Sequence, residues 1–204
     1  RNTIVHHFVV KAFIELAMIS LPDDLDERLP YFWDRVDALR DLFKFEFFYV
    51  SREAFRGRVE EELDRYDTEW SQKLSSDAEF PDRLLKRLRP LVARAALLPY
   101  IEAYGVVAKI FKGLRGTESI ERKACLEQAL AYGKQAYLQR LITSEASVGK
   151  LFFDNAFSLM ENLGLVEPDG SDLGPARGAF ASTIAELARC MEHIYLLDAP
   201  GDML

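Results

Sequence analysis

Two spacings near the C-terminal end of the chain could support chemistry. His193 and Asp198 form an HxxxxD string, in which a carboxylate could orient an imidazole to take a proton from a substrate hydroxyl. Glu186, Cys190 and His193 follow each other at i, i+4 and i+7, so one face of a helix could present three metal ligands. Both interpretations place a site on the last helix of the protein.

A purely structural role is the better explanation for both spacings. Only six residues follow Asp198, too few for an oxyanion or phosphate site, and none of them forms a Gly-rich anion-binding segment. No fourth metal ligand accompanies the other three, so a buried cysteine beside surface Glu and His side chains is the commoner arrangement. The GxSxG, P-loop, dinucleotide-binding and HExxH motifs are absent from the sequence. We therefore predict no catalytic residue, no metal and no cofactor in this chain.

A basic amphipathic stretch is the strongest candidate for a binding surface. Five cations occur within twelve residues, interleaved with leucines: Arg83, Lys86, Arg87, Arg89 and Arg94. Such a stretch can lie on an anionic lipid surface or face a phosphate-bearing substrate. The alternative is a helix surface paired with the acids of a neighbouring helix. We predict contact with membrane phosphates or with a phosphate-bearing substrate.

Composition limits the classes of partner. The 204 residues are 49% hydrophobic, and 26 Lys and Arg against 33 Asp and Glu give a net charge of -7. This acidic balance argues against nucleic acid as a partner, because binding phosphate backbones needs a surplus of cations. Two cysteines complete no disulfide framework, so a reducing compartment is expected. The chain begins at Arg1 without an initiator Met or a leader, which suggests a piece of a longer protein.

Helical periodicity runs through almost the whole chain and predicts an all-α fold. We predict a single helical domain over residues 1–204, with Phe43–Val50 forming either a short strand or an extended connector. Residues 71–80 are expected to form a polar loop, residues 167–176 a flexible loop, and Gly164 a left-handed helix terminus. About seven helices are expected, at 2–21, 30–42, 52–66, 81–111 with breaks or kinks at Pro90 and Pro99, 117–141, 145–163 and 177–197.

The first predicted helix is nearly long enough to span a bilayer. His6, His7, Lys11 and Glu15 interrupt it, however, and charged side chains are costly at the centre of a spanning helix. Apolar residues cover nearly all its faces, which is typical of a helix surrounded by protein. We predict a deeply buried helix; a helix that touches a membrane or a missing partner domain is the less favoured alternative.

Five segments, in order along the chain, resemble the C-terminal region of the bacterial membrane-associated glycerol-3-phosphate acyltransferases of the PlsB type; one of them is the helix that begins at Ser51. The opening Arg1–His6, RNTIVH, is similar to the RNNxLH element of that family and matches it at Arg1, Asn2 and His6. Residues 36–47 resemble a stretch that ends in LKAELF, with Lys44 and Glu46 in register. Residues 97–104 are similar to an LxPxxEAY helix, and residues 144–166 resemble the last well-defined helix of the family.

The resemblance implies that the whole protein transfers an acyl group from acyl-CoA or acyl carrier protein to the sn-1 hydroxyl of glycerol 3-phosphate. The product is lysophosphatidic acid, at the first committed step of phospholipid synthesis, on the cytoplasmic face of the inner membrane. In this family the catalytic HxxxxD domain lies upstream of the region seen here, so His193 and Asp198 take no catalytic role. The chain is then an accessory domain that packs on the catalytic domain and helps shape its site, with Arg1, Asn2 and His6 at the interdomain or substrate-site edge.

A second hypothesis comes from a different class of protein. The ordinary inventory of His and Cys residues equally permits a free-standing helical adaptor or regulator without catalysis. A helical transcription factor is disfavoured by the acidic charge.

Overall fold

The computed structural model describes residues 2–198, with side chains from Phe8 onward, and within that range it contains nine α-helices and no strand. The all-α prediction is confirmed. A single 3₁₀ turn lies at Glu145–Ser147. The helices are α1 (Asn2–Ile19), α2 (Leu25–Leu42), α3 (Arg52–Asp64), α4 (Trp70–Leu74), α5 (Phe80–Arg87), α6 (Ala93–Gly113), α7 (Arg122–Leu138), α8 (Lys150–Asn162) and α9 (Gly174–Asp198).

The chain divides into two compact units. Among the described residues, the first comprises 2–97 and 190–198, and the second comprises 98–189. Helices α6 and α9 each contribute residues to both units. The prediction of one domain over residues 1–204 stays a prediction.

The first unit is built around α1, in which most side chains from Val9 to Met18 are buried, as predicted. Phe13 is fully buried on α1, and the centroid of its ring lies 5.9 Å from that of Phe43 and 5.8 Å from that of Phe55. Such offset and edge-to-face aromatic pairs add to the stabilisation from apolar burial alone. Within residues 2–198, no helix combines the length and the apolarity that crossing a bilayer requires.

A buried acid on α1 holds the start of α6. Glu15 is fully buried, and its carboxylate accepts hydrogen bonds from the backbone N–H groups of Val92 at 2.9 Å and Ala93 at 2.7 Å. The first N–H groups of a helix have no partner within the helix, so this carboxylate takes the place of a local N-cap. The sequence predicted a break between two helices at Pro90. The helix after this break is capped by Glu15, which lies far away in the sequence.

The second unit contains a buried arginine that ties three segments together. The Arg177 guanidinium, on α9, lies over the ring of Phe111 and donates hydrogen bonds to backbone carbonyls on both sides of the unit. The acceptors are the carbonyl oxygens of Leu165 at 2.8 Å, Val166 at 3.0 Å, Arg115 at 3.1 Å and Glu118 at 2.9 Å. Burial lowers the pKa of Arg177 from its ordinary value. These bonds satisfy carbonyls of connecting segments that would otherwise lack partners.

Two positions in the second unit favour glycine, each for a different structural reason. Gly164 follows α8 with φ +69°, and the N–H groups of Gly164 and Leu165 bond the carbonyls of Glu161 and Met160. This is the left-handed helix terminus that the sequence predicted. Gly133 lies on α7 where a Cβ atom would come within 3.0 Å of the Phe153 ring on α8, so glycine permits close packing of these two helices.

Several predicted boundaries were wrong. Of the two alternatives for Phe43–Val50, the strand does not form: residues 43–47 form a turn that continues from α2, with the N–H of Phe43 bonded to the carbonyl of Leu39, and residues 48–50 form a connector without helix or strand. The expected loop at 71–80 contains most of α4, and the helix expected from Thr117 begins at Arg122. Residues 167–173 are free of helix, but α9 begins at Gly174; the flexibility of the loop predicted at 167–176 stays a prediction.

Candidate anion-binding surface

Helix α5 displays the basic stretch because of its strongly amphipathic pattern. Pro81 occupies the first turn, where the missing N–H costs no hydrogen bond. Leu84 and Leu85 are buried in the first unit, and the helical period therefore directs Lys86 and Arg87 to the exposed side. The apolar side of α5 is thus covered by the protein itself, and its exposed side carries Arg83, Lys86 and Arg87 together with the acid Asp82.

The end of α9 approaches the connection between α5 and α6. The Arg89 guanidinium donates to the backbone carbonyl of Leu197, and the Asp198 carboxylate accepts from the backbone N–H of Leu91 at 3.3 Å. Between these elements lies a cavity of about 310 Å³. It is lined by Asp82, Leu85, Lys86, Arg89, Leu91, His193 and Leu197. The fold thus brings two cations of the basic stretch beside a histidine from the last helix.

The five predicted cations fall into two groups. Arg83 forms ion pairs with Asp77 and Glu79, and Arg94 lies 3.4 Å from a Glu192 carboxylate oxygen, so pairing with neighbouring acids holds for these two. The hydrogen bond from Arg83 lowers the pKa of Asp77.

The remaining cations are more available to a ligand. Lys86 and Arg87 are exposed, and neither forms an ion pair or hydrogen bond with the residues that the structure describes. The positive charge of Arg87 helps to lower the pKa of Asp67, so this charge already interacts with an acid of the protein. Arg89 makes its hydrogen bond to a carbonyl and not to a carboxylate, so its charge is not neutralised by that contact. Lys86 and Arg89 are therefore the best-placed cations for an anion.

The HxxxxD residues do not form a catalytic pair in this arrangement. Five residues on a helix separate side chains by roughly 140°. His193 lines the cavity, whereas Asp198 is bonded to the backbone N–H of Leu91. Over residues 2–198, no group of three or more His, Cys, Asp and Glu side chains is arranged to hold a metal ion.

The comparison with known families decides where the chain belongs. The sequence model of the glycerol-3-phosphate acyltransferase C-terminal region matches residues 1–169. The chain belongs to this acyltransferase family. The family resemblance that the sequence motifs suggested is therefore confirmed.

Curated relatives of the chain carry an acyltransferase name. Proteins named "Putative acyltransferase plsB1" from Mycobacterium bovis (strain ATCC BAA-935 / AF2122/97) and Mycobacterium tuberculosis (strains CDC 1551 / Oshkosh and ATCC 25618 / H37Rv) are 30% identical to it over 203 aligned residues. The alignment covers 93% of this chain and 32% of each relative. The chain therefore spans about a third of the length of the curated relatives it matches. No solved structure is similar enough to match.

The residues that carry the family's opening element fall at the start of α1. Arg1 lies outside the described residues, as do the side chains of Asn2 and His6, whose backbone forms the first turns of α1. Their predicted place at an interdomain edge stays a prediction.

Two side chains near the cavity were missed by the sequence reasoning. Tyr195 and Leu196 on α9 are exposed by 51% and 69%; the Tyr195 ring lies beside the Arg94 guanidinium, and Leu196 precedes Leu197, which lines the cavity. The signal was present in the sequence, because the apolar spacing Leu187, Met191 and Ile194 already defines the buried side of α9 and leaves Leu196 outside it.

Proposed function

We propose that this chain is the C-terminal accessory domain of a membrane-associated glycerol-3-phosphate 1-O-acyltransferase. The whole protein would transfer an acyl group from acyl-CoA or acyl carrier protein to the sn-1 hydroxyl of glycerol 3-phosphate, in phospholipid synthesis. The observation that carries the proposal is the family match over residues 1–169, in a chain that spans about a third of relatives named as acyltransferases.

In this proposal the chemistry belongs to the upstream catalytic domain. The present chain packs on that domain through the start of α1, with Arg1, Asn2 and His6 at the interdomain or substrate-site edge. Asp198 supports this division of labour, because its carboxylate is engaged with a backbone N–H and not with His193. The cations of the stretch 83–94 contact membrane phosphates or a phosphate-bearing substrate at the cytoplasmic face of the inner membrane.

The proposal is tested by following free-thiol release from palmitoyl-CoA in the presence of glycerol 3-phosphate. Three samples are compared: this chain, the upstream catalytic part of the same protein, and both together. We expect thiol release only when both parts are present. Turnover by the chain alone would contradict the proposal and return His193 and Asp198 as catalytic candidates. If none of the three samples releases thiol, and the full-length protein also releases none, the result would favour the adaptor hypothesis.

The interdomain edge has its own test in the full-length protein. Asn2→Ala and His6→Ala should lower acyl transfer or the melting temperature, because polar groups at the head of an apolar helix need partners. His7→Ala is the matched control, since the family element assigns no role to this neighbouring histidine. Wild-type kinetics and melting in both variants would refute the assignment.

A further inference from the structure

A groove of about 640 Å³ runs along α6 in the second unit. On one side it is bordered by α9, where the Ile184 side chain lies 3.7 Å from the position that a Cβ atom would take at Gly105. On the other side it is bordered by α7, where the Tyr132 hydroxyl accepts a hydrogen bond of 2.6 Å from Nζ of Lys109. Sites for small molecules have volumes of roughly 300 to 1,000 Å³, so the groove is large enough for a ligand.

Small and apolar residues form most of the groove. The side formed by α9 carries alanines at 181, 185 and 188, a spacing of i, i+4 and i+7 that places all three on one side of the helix. Gly105 lies on the floor formed by α6, and Leu141, exposed by 66%, lies at the edge after α7. The apolar surface of the groove is therefore open to a ligand and is not filled by long side chains of the unit.

Glu102 holds one end of the groove in place. Its carboxylate accepts hydrogen bonds from the N–H and the hydroxyl of Thr143 at 2.7 Å and 2.8 Å, from the N–H of Ser144 at 3.2 Å, and from the Ser147 hydroxyl. These bonds fix the segment that follows Leu141 and Ile142, which line the groove. Both oxygens of the acid are thus engaged by the protein.

The opposite end of the groove is positively charged. Lys109 and Lys112 lie seven and ten residues beyond Glu102 on α6, or about 10 and 15 Å along the helix axis. Both lysines are exposed and line the groove. Lys109 bonds the neutral Tyr132 hydroxyl, and neither lysine forms an ion pair with the residues that the structure describes. Two cations therefore lie together at one end, without an acid beside them in the groove lining.

Shape and charge together select the ligand. An α-helix laid along the groove from Ile101 to Lys112 would be about 16 Å long and about 10 Å wide, and its volume of roughly 1,300 Å³ is twice that of the groove. An alkyl chain is thinner and is apolar along its whole length, as the floor and sides of the groove require. The two lysines at one end complement a single anionic head group.

We propose that this groove binds a single alkyl chain with an anionic head, either a fatty acid or an alkyl phosphate. The chain lies along α6 between α7 and α9, and the head faces Lys109 and Lys112. We name the site the α6 groove, and its defining residues are Ile101, Gly105, Lys109, Lys112, Ala181 and Ala185. The proposed function assigns no ligand to the second unit. Binding to the α6 groove requires no acyl transfer by the full-length protein, so the two proposals can fail separately.

The test is isothermal titration calorimetry of the 204-residue chain with sodium laurate and with dodecyl phosphate, both below their micelle concentrations. Monolaurin carries the same chain on a neutral head and is the reference. We expect saturable binding of both anions and weaker binding of monolaurin. Decanoate lacks two methylenes of laurate and should bind roughly tenfold more weakly. The tighter of the two anions identifies whether a carboxylate or a phosphate head fits the lysines better.

Two variants test the apolar side and the charged end of the groove, each with a matched control. Ala185→Trp fills the groove and should weaken laurate binding at least about tenfold. Ala179→Trp is its control, at an exposed position about 120° away around α9. Lys112→Gln should weaken binding about threefold, as the loss of an exposed ion pair does. Lys123→Gln is its control, at an exposed position of α7 that does not line the groove. Both controls should bind like the wild-type chain.

Thermal unfolding separates a bound ligand from a surfactant that unfolds the protein. A ligand of the folded state raises the unfolding temperature. Laurate should therefore raise it for the wild type and both controls, but not for Ala185→Trp. All four substituted positions are exposed, so each variant should unfold without laurate at the temperature of the wild type. A lower unfolding temperature of the wild type in laurate would overturn the proposal.

Further results would also contradict the proposal. Equal binding of laurate and monolaurin would remove the role of the lysines, and equal losses in a groove variant and its control would remove the role of the groove. Self-association of the chain that Ala185→Trp abolishes, without laurate binding, would assign the groove to a second copy. Unchanged laurate binding by Ala185→Trp, with a destabilised full-length protein, would assign it to packing against the rest of that protein.

Discussion

Replacing Glu15 with glutamine should remove much of the pH dependence of the stability of this protein. The Glu15 carboxylate is fully buried and bonded to the N–H groups of Val92 and Ala93 at the start of α6. These bonds and the nearby Lys11 favour the charged form, but burial outweighs them. The pKa of Glu15 is therefore raised from its ordinary 4.5 to about 7.

The sign of the effect follows from proton binding. Between pH 4.5 and about 7, the folded protein keeps a proton on Glu15 that the unfolded chain has released. The contribution of Glu15 to stability is therefore fully present below pH 4.5, falls as the pH rises and levels off above the folded pKa. At 1.36 kcal/mol per pKa unit, the total loss of this contribution is about 3 kcal/mol, and most of it falls between pH 5 and pH 8.

Urea unfolding followed by tryptophan fluorescence gives the necessary free energies. Trp33 and Trp70 form an edge-to-face pair in the same unit as Glu15, so their emission reports on the relevant structure. Glutamine keeps the size of the side chain and an oxygen that accepts from the start of α6, but it does not ionise. The difference in stability between wild type and Glu15→Gln should shift by about 2 to 3 kcal/mol against the wild type from pH 5 to pH 8.

The control for this experiment is Glu60→Gln, which makes the same chemical change at an exposed position of α3. Its stability difference from the wild type is the reference for the same chemical change at a position on the surface. A flat difference for Glu15→Gln would refute the reasoning, since it would mean that the buried carboxyl titrates alike in the folded and unfolded chains.

Further predictions concern stability and thiol reactivity. Arg177→Met should lower the free energy of unfolding by about 3 kcal/mol, because the buried carbonyls of Leu165 and Val166 and the part-buried carbonyls of Arg115 and Glu118 lose a charged donor; a loss below about 1 kcal/mol in urea titrations would contradict this. Burial raises the pKa of Cys125 to about 11, so iodoacetamide at pH 8 should label only the half-buried Cys190, and two adducts of the folded chain by mass spectrometry would be the contrary result. Gly164→Ala should destabilise by about 1 kcal/mol because of its positive φ, whereas Gly57→Ala within α3 should stabilise by about 0.5 kcal/mol; thermal melts showing the same sign for both would count against the backbone argument.

The parts of the fold that depend on local chemistry could be predicted. Gly164 ends α8 because only a residue without a Cβ adopts positive φ at no cost, and Pro90 lies between α5 and α6 because it has no N–H to donate and restricts the residue before it. Proline alone does not decide the break, since Pro99 lies within α6. The absence of a strand at Phe43–Val50 has a tertiary cause. Alternating aromatic residues are typical of strands, but here Phe43 and Tyr49 fill the space around Phe13 from a turn.

Only part of the candidate site could be predicted from the sequence. The basic stretch was evident from its spacing, but the cavity requires His193 and Leu197, more than a hundred positions away along the chain. The sequence also could not tell that Arg83 and Arg94 are paired with acids while Lys86 is exposed without such a pair among the described residues. Arg177 was overlooked for a similar reason, because an arginine in a helix is usually on the surface.

We propose that this chain completes an acyltransferase whose chemistry lies in the rest of the protein. The most direct measurement is incorporation of radiolabelled glycerol 3-phosphate into lysophosphatidic acid by the full-length protein, with and without residues 1–204. We expect labelled product from the full-length protein and its loss in the folded, truncated form. Labelled product formed at the same rate without residues 1–204 would contradict it.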